Sequence, residues 1–97
     1  MSKSVKNEEV DHLLDAILSL ESREEAYNFF EDLCTVNEII SMAQRLEVAK
    51  LLVKKVKYTD IVKQTGASTA TISRVNRALN YGNDGYEIVI NRNSEEK

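Results

Sequence analysis

The sequence predicts an all-α protein that contains a helix-turn-helix. The 97 residues include no proline and only three glycines, too few for the many tight turns of a sheet-rich fold. Apolar residues recur at spacings of three and four, and alternating β-branched runs are nearly absent before residue 86. A glycine at position 66 separates two short amphipathic segments. With 42% hydrophobic and 30% charged residues, the chain suits one globular domain.

Two amphipathic helices are predicted in the first third of the chain. The first has apolar residues at helical spacing and ends near Leu20; they are Val10, Leu13, Leu14, Ile17 and Leu18. The segment "SREE" at Ser22–Glu25 has the form of a capping box, with serine followed by glutamate three residues later. It predicts the start of a second helix, whose apolar face comprises Ala26, Phe29, Phe30 and Leu33.

The third predicted helix opens at a second capping box, "TVNE" at Thr35–Glu38, and runs to about Lys54. Its apolar residues cover most of the circumference: Val36, Ile39, Ile40, Met42, Ala43, Leu46, Val48, Ala49, Leu51, Leu52 and Val53. A helix of this kind must be surrounded by other elements. The rest of so short a chain could hardly enclose it, so the pattern predicts a homodimer with interlocked helices.

The segment "KYTDIVKQTGASTATISRVNRALNYG" predicts the helix-turn-helix, at about residues 58–80. Thr59 is the expected N-cap of its first helix, Gly66 supplies the positive φ of the turn, and Ser68 caps the second helix. The inward edge of the second helix is expected to be Ile72, Val75 and Leu79. An ordinary helical hairpin is the alternative reading of this pattern.

Charge is distributed unevenly along the chain. Residues 1–35 contain three Lys and Arg against nine Asp and Glu, a net charge of −6. Residues 36–81 contain eight against three, a net of +5, and residues 82–97 contain two against four, a net of −2. A basic segment in an otherwise acidic chain indicates nucleic-acid binding.

The outer face of the second helix is predicted to enter the DNA major groove. Its short side chains let the backbone approach the floor of the groove, where hydroxyls bond to base edges. Lys54 and Lys55 are further candidates for phosphate contact, although a solvated helix end explains them equally well. The predicted DNA-binding residues are Lys57, Thr59, Lys63, Ser68, Thr69, Ala70, Ser73, Arg74 and Arg77.

The two ends of the chain give weaker signals. Residues 1–9 are predicted to form a flexible arm, residues 10–81 the helical dimerisation and DNA-binding domain, and residues 82–97 a turn with a short extended tail. Asn80–Gly85 has turn composition, and Tyr86–Asn91 is expected to be a short strand or an extended arm. The polar start of the chain and the lack of a long apolar run predict neither a signal peptide nor a membrane span.

Cys34 and His12 are the only cysteine and histidine. Cys34 is expected to be a buried structural thiol and His12 a solvated surface residue. These two residues predict no metal site, and the sequence predicts no cofactor. A single cysteine also fits a reducing, cytoplasmic setting.

Two stretches, "LCTVNEIISMAQRLEVAKLL" and "YTDIVKQTGASTATISRVNRAL", resemble the bacterial tryptophan-repressor family. More closely, they look like its YerC/YecD group. The resemblance covers about residues 30–80 and is most specific at "TGASTATISR". It implies a tryptophan-repressor-like intertwined helical dimer that presents two recognition helices to double-stranded DNA.

The resemblance also implies an effector pocket. The family's ligand-binding threonine, carboxylate-binding arginine and indole-stacking arginine match Thr35, Arg45 and Arg74. Two positions depart from the family pattern, because a glycine is replaced by Val75 and a serine by Ala78. These departures argue against L-tryptophan as the effector. An ion pair or cap contact within the dimer is an alternative role for Arg45.

The sequence therefore predicts a dimeric transcriptional regulator, most simply a repressor. One alternative is a protein-interaction module that uses the acidic N-terminal face, and another is a DNA-binding domain like that of a sigma factor. An enzyme is not expected, because the sequence has no nucleophile–base arrangement, metal cluster or phosphate loop.

Overall fold

The computed structural model describes residues 4–94, and all regular secondary structure in that range is α-helical, as the sequence predicts. The chain divides into an N-terminal unit, Met1–Val36, and a C-terminal unit, Asn37–Lys97. None of the described helices is long and apolar enough to span a lipid bilayer. The described helices are α1 (Glu8–Leu18), α2 (Arg23–Leu33), α3 (Val36–Val53), α4 (Tyr58–Thr65), α5 (Thr69–Tyr81) and α6 (Gly85–Ser94).

Both helices of the N-terminal unit begin at a side-chain cap. The Asn7 side chain accepts a hydrogen bond from the Val10 N–H at 2.8 Å, so α1 starts two residues earlier than the sequence suggests and includes the end of the predicted arm. At α2, the Ser22 hydroxyl accepts from the Glu25 N–H at 3.1 Å, and Glu25 Oε1 accepts from the Glu21 N–H at 2.9 Å. The predicted capping box is confirmed. The glutamate accepts from the N–H of Glu21, the residue before the N-cap, whereas in the usual form it accepts from the N–H of the N-cap residue itself.

The N-terminal unit buries little apolar surface within one chain. Neither α1 nor α2 contains a fully buried residue. Leu18 is 81% exposed, Tyr27 62%, Leu33 51% and Leu14 49%. Because large apolar side chains stabilise a fold only when they are removed from water, α1 and α2 gain little stabilisation from burial within one chain.

The core of the molecule lies in the C-terminal unit, where α3, α4, the 66–68 turn and α5 meet. Every residue of this core has at most 2% of its surface exposed. Partly buried residues from α3 to α6 pack against it, among them Leu79, which the sequence places on the inward edge. The fully buried core residues are Val48, Ala49, Ile61, Ala67, Ile72 and Val75.

The end of α3 is fixed by a Schellman motif. Lys55 has a left-handed backbone, with φ 66°. Its N–H donates to the Leu52 carbonyl at 2.9 Å, and the Val56 N–H donates to the Leu51 carbonyl at 3.0 Å. These two bonds satisfy carbonyls that the helix end leaves open. Val56 and Leu51 also pack on the core, so the chain leaves α3 in a defined direction.

The predicted strand or extended arm at residues 86–91 is wrong, because these residues belong to α6. Ile88, Val89 and Ile90 favour β structure locally. However, Tyr86 and Ile90 lie one helical turn apart, and both pack against the core. Tertiary packing therefore outweighs β propensity here. The predicted turn is correspondingly shorter, because Asn80 lies in α5 and Gly85 begins α6.

Gly82 ends α5 for a steric reason. Its N–H donates to the Ala78 carbonyl at 2.9 Å, and a Cβ at this position would collide with that same oxygen. Residues 1–3 and 95–97 lie outside the described residues, so the outer parts of the predicted arm and tail stay predictions.

Three smaller expectations concern single residues. Thr59 is not the N-cap of α4, because the helix begins at Tyr58 and the capping position is Lys57, which has no side-chain cap. Cys34 is half-buried rather than buried, since it lies at the end of α2 where the backbone becomes extended. His12 is exposed beside Glu8, with 3.9 Å between Nε2 and Oε2, as expected of a surface residue.

Candidate nucleic-acid interface

A tight glycine turn joins α4 to α5. Gly66 has φ 75° and ψ 4°, and its N–H donates to the Val62 carbonyl at 2.8 Å. The Thr65 hydroxyl donates to the Ile61 carbonyl at 2.7 Å and accepts from the Ala67 N–H at 3.1 Å. Because left-handed backbone favours glycine, the sequence prediction of a turn at Gly66 is confirmed.

Ser68 begins α5. Its hydroxyl accepts from the Thr71 N–H at 3.1 Å and lies 3.1 Å from the Thr71 hydroxyl, to which it donates. The predicted N-cap is therefore confirmed. These contacts use the Ser68 side chain within the helix, so its first role is to fix where α5 starts.

The two faces of α5 differ sharply in exposure. Ile72 is 0% and Val75 1% exposed, and both belong to the core. With about 100° of rotation per residue, the predicted outer residues lie within one continuous arc of about 140° on the opposite side. All of them are exposed: Thr69, Ala70, Ser73, Arg74 and Arg77.

The predicted basic contacts are also at the surface. Lys57 and Lys63 are exposed, the first immediately before α4 and the second within it. Thr59 is exposed in the first turn of α4. Within residues 4–94, no ion pair engages Lys57, Lys63, Arg74 or Arg77. These four cations can therefore meet an external anion without first breaking an internal ion pair.

The predicted effector residues have different environments. Thr35 is exposed in the N-terminal unit. In the C-terminal unit, Arg45 is half-buried, Arg74 and Ala78 are exposed, and Val75 is in the core. The Val75 side chain thus packs among Ile61, Ile72 and other apolar residues.

A groove with a volume of about 420 Å³ lies beside α3, and none of the predicted effector residues lines it. Among its lining residues is Gln44, whose Nε2 donates to the Thr65 carbonyl at 3.1 Å. Sequence reasoning missed this contact, because it joins residues 21 positions apart and no local pattern signals it. The groove is lined by Ile40, Ala43, Gln44, Glu47, Leu51, Gln64 and Thr65.

The arrangement of α4, the glycine turn and α5 defines a helix-turn-helix protein on an all-helical scaffold. The model of the Trp repressor protein family matches residues 8–94, from the start of α1 to the end of α6. The chain therefore belongs to the Trp repressor family, and the family resemblance of the sequence is confirmed.

Individual relatives match over nearly the whole chain. Protein YerC of Bacillus subtilis (strain 168) is 57% identical over 91 residues, which cover 94% of this chain and 88% of YerC. A TrpR-like protein from Eubacterium eligens has a solved structure that is 60% identical, with a TM-score of 0.90 and 93% of each chain covered. Another solved structure, from Staphylococcus aureus, is 53% identical with the same TM-score, covering 96% of this chain and 93% of the other.

Proposed function

We propose that the protein is a sequence-specific, DNA-binding transcriptional regulator that acts as a homodimer and represses the promoters it occupies. The observation that carries this proposal is the division of α5. One face is buried in the core, and the opposite face presents short side chains and two arginines that make no ion pair within residues 4–94.

The outer face of α5 suits a major groove in both shape and chemistry. Thr69, Ala70 and Ser73 lie in the first half of the helix and are short, so the backbone can come close to the base pairs. The hydroxyls of Thr69 and Ser73 can donate or accept hydrogen bonds. Arg77, one turn beyond Ser73, and Lys63 on α4 are assigned to phosphate, because flexible cationic side chains bind the backbone irrespective of sequence.

The homodimer is supported by apolar surface that one chain leaves uncovered. In α3, Val36 is 71%, Ile40 58% and Val53 44% exposed, in addition to the exposed leucines of α1 and α2. A second copy of the chain would bury this surface. Two recognition helices held in one dimer would then read two half-sites about one turn of DNA apart.

The family match and the charge distribution support this proposal over the two alternatives that the sequence leaves open. The match includes α1, α2 and α6 as well as the helix-turn-helix. A DNA-binding domain like that of a sigma factor needs only the helix-turn-helix. A protein-interaction module would not need a basic segment with a net charge of +5 around an exposed helix face.

We also infer that L-tryptophan is not the effector. Val75 replaces a residue without a side chain and is packed into the core. Inserting carbon atoms into a close-packed site costs roughly 1–3 kcal/mol. Ala78 has no hydroxyl for the ligand, and an unpaired buried polar group costs roughly 1–3 kcal/mol. Together these losses would weaken a micromolar ligand by about two to four powers of ten.

Titration calorimetry with L-tryptophan checks this inference. We expect no saturable heat below about 100 µM, and no change in DNA affinity when tryptophan is present, because the losses above raise the dissociation constant to about 100 µM or higher. Saturable binding below about 100 µM, or DNA binding that strengthens with tryptophan, would show that Val75 leaves the pocket open.

The salt dependence of DNA binding tests the proposed docking. A duplex with two half-sites about one helical turn apart should bind far better than a duplex with one. Arg77→Ala should weaken binding to all sequences and reduce the slope of log K against log salt by about 0.9 per subunit, because one phosphate contact is lost. Exchanging Thr69 or Ser73 for alanine should instead change which sequence is preferred.

Lys6→Ala is the matched control, because it removes one exposed positive charge that precedes α1. If Lys6→Ala and Arg77→Ala reduce the salt slope equally, the assigned phosphate contact is wrong and only the overall charge of the chain matters.

A further inference from the structure

Gln44 connects α3 to the turn of the helix-turn-helix. Its side chain is half-buried on α3, and its Nε2 donates to the backbone carbonyl of Thr65, the last residue of α4, at 3.1 Å. The hydrogen bonds of the Thr65 hydroxyl, by contrast, reach only two and four residues along the chain. The Gln44 bond therefore ties the turn to a different helix.

Thr65 lies at the start of the turn, where a small displacement of the backbone changes the direction of α5. Its hydroxyl bonds to Ile61 and Ala67, and the next residue, Gly66, has the left-handed backbone that redirects the chain. The direction of α5 thus follows from the geometry of residues 65–68. The Gln44 hydrogen bond to the Thr65 carbonyl restricts that geometry more than the local hydrogen bonds alone, because it limits rotation of the turn relative to α3.

We infer that Gln44 is a positioning residue for DNA recognition: its carboxamide holds the turn, and through it α5, at a fixed angle to α3. This inference rests on the proposed function. Base-edge hydrogen bonds need donor–acceptor distances near 2.9 Å and good alignment, whereas long cationic side chains adapt to phosphate. Loss of the Gln44 bond should therefore reduce sequence discrimination much more than general affinity for DNA.

The substitution Gln44→Met tests the role of the donor, because methionine keeps the unbranched shape and loses the amide. Gln44→Glu keeps nearly the same shape but replaces Nε2 with an oxygen that cannot donate when ionised. Gln64→Met is the matched control. Gln64 is exposed on α4, adjoins Thr65 and lines the same groove, and no hydrogen bond of its side chain is found in the described range.

The measurement is the ratio of dissociation constants for a random duplex and a selected operator, of equal length and at one salt concentration. In Gln44→Met and Gln44→Glu the ratio should fall about two- to tenfold per subunit, as expected for the loss of one hydrogen bond. Affinity of Gln44→Met for the random duplex should change less than about twofold, and Gln64→Met should keep the ratio of the parent protein. An unchanged ratio in Gln44→Met, or an equal loss on both duplexes, would overturn the inference.

Nuclear magnetic resonance supplies a measurement that does not depend on DNA. The backbone amides of Gly66 and Ala67 should exchange with solvent severalfold faster in Gln44→Met than in Gln64→Met, because the turn opens more often without the Gln44 bond. Equal exchange in the two variants would show that Gln44 does not hold the turn. If the parent protein proves to have no sequence preference, the proposed function fails, and the exchange rates still decide what Gln44 does.

Discussion

The C-terminal unit buries apolar side chains completely within one chain, whereas the helices of the N-terminal unit do not. In the C-terminal unit, side chains such as Ile61 and Ile72 are completely buried within one chain. In the N-terminal unit, neither α1 nor α2 has a fully buried residue. Charge is divided in the same sense, with a net of −6 over residues 1–35 and a net of +3 over residues 36–97, where +5 over residues 36–81 is offset by −2 over residues 82–97.

This contrast explains how the proposed recognition helix is presented. The C-terminal unit has its own apolar core, so the position of α5 is determined by contacts inside one chain. The N-terminal unit gains little from folding alone, and its stability is expected to come from contact with a second chain. The negative charge of the N-terminal unit also repels the DNA phosphates, which disfavours DNA binding at the proposed dimer contacts.

The largest expected effect comes from placing charge on the exposed apolar face of α1. The double substitution Leu14→Glu, Leu18→Glu should abolish the dimer, because two carboxylates per chain would have to leave water. Sedimentation at low micromolar concentration should give twice 11.0 kDa for the parent protein and the single-chain mass for the variant.

Asn28→Glu is the matched control, since it adds a charge at an exposed polar position of α2 and should remain dimeric. A parent protein that is a folded monomer at this concentration contradicts the proposed role of the N-terminal unit.

The next effect concerns the core beneath the recognition helix. Ile72→Ala should lower the free energy of unfolding by about 2–5 kcal/mol, because it leaves a cavity in a fully buried site. Chemical denaturation measures this change. The neighbouring exposed substitution Arg74→Ala should stay within about 0.5 kcal/mol of the parent protein. Equal losses in the two variants would mean that α5 is not divided into a buried and an exposed face.

The smallest expected effect is at the turn. Gly66→Ala should destabilise the protein by about 1–2 kcal/mol, because alanine is strained at φ 75°. No atom outside the two neighbouring residues lies within 4 Å of the added methyl group, so backbone conformation alone causes the loss. Gly85→Ala, also with open space around the methyl group, lies at the start of α6 and should be neutral or slightly stabilising. Thermal unfolding compares the two, and a loss at Gly85 as large as at Gly66 would contradict this explanation.

Local patterns predict the parts of the fold that local chemistry controls. Ser22 and Ser68 are predictable as helix caps, because a hydroxyl three residues before a free N–H has a direct partner. The burial of Ile72 and Val75 follows from helical spacing. The helical state of residues 86–91 does not, because it depends on contact of Tyr86 and Ile90 with a core formed by earlier elements.

The candidate site also has features that the sequence predicts and features that depend on tertiary packing. The outer face of α5 follows directly from its inner face, so the exposure of Thr69, Ser73 and Arg77 could be predicted from the sequence. The Gln44 bond could not, because its partner is a backbone carbonyl 21 residues away whose position depends on how α4 packs against α3.

Selection of bound duplexes from a random DNA pool, at about 150 mM salt, is the decisive experiment for sequence-specific DNA binding. We expect enrichment of a motif with two half-sites related by a two-fold axis and about one helical turn apart. Each matched base pair should contribute roughly 1–3 kcal/mol of discrimination, and Thr69→Ala or Ser73→Ala should shift the preferred base. If no motif emerges, and random duplexes bind as tightly as any recovered sequence, α5 does not read DNA and the protein is not a sequence-specific regulator.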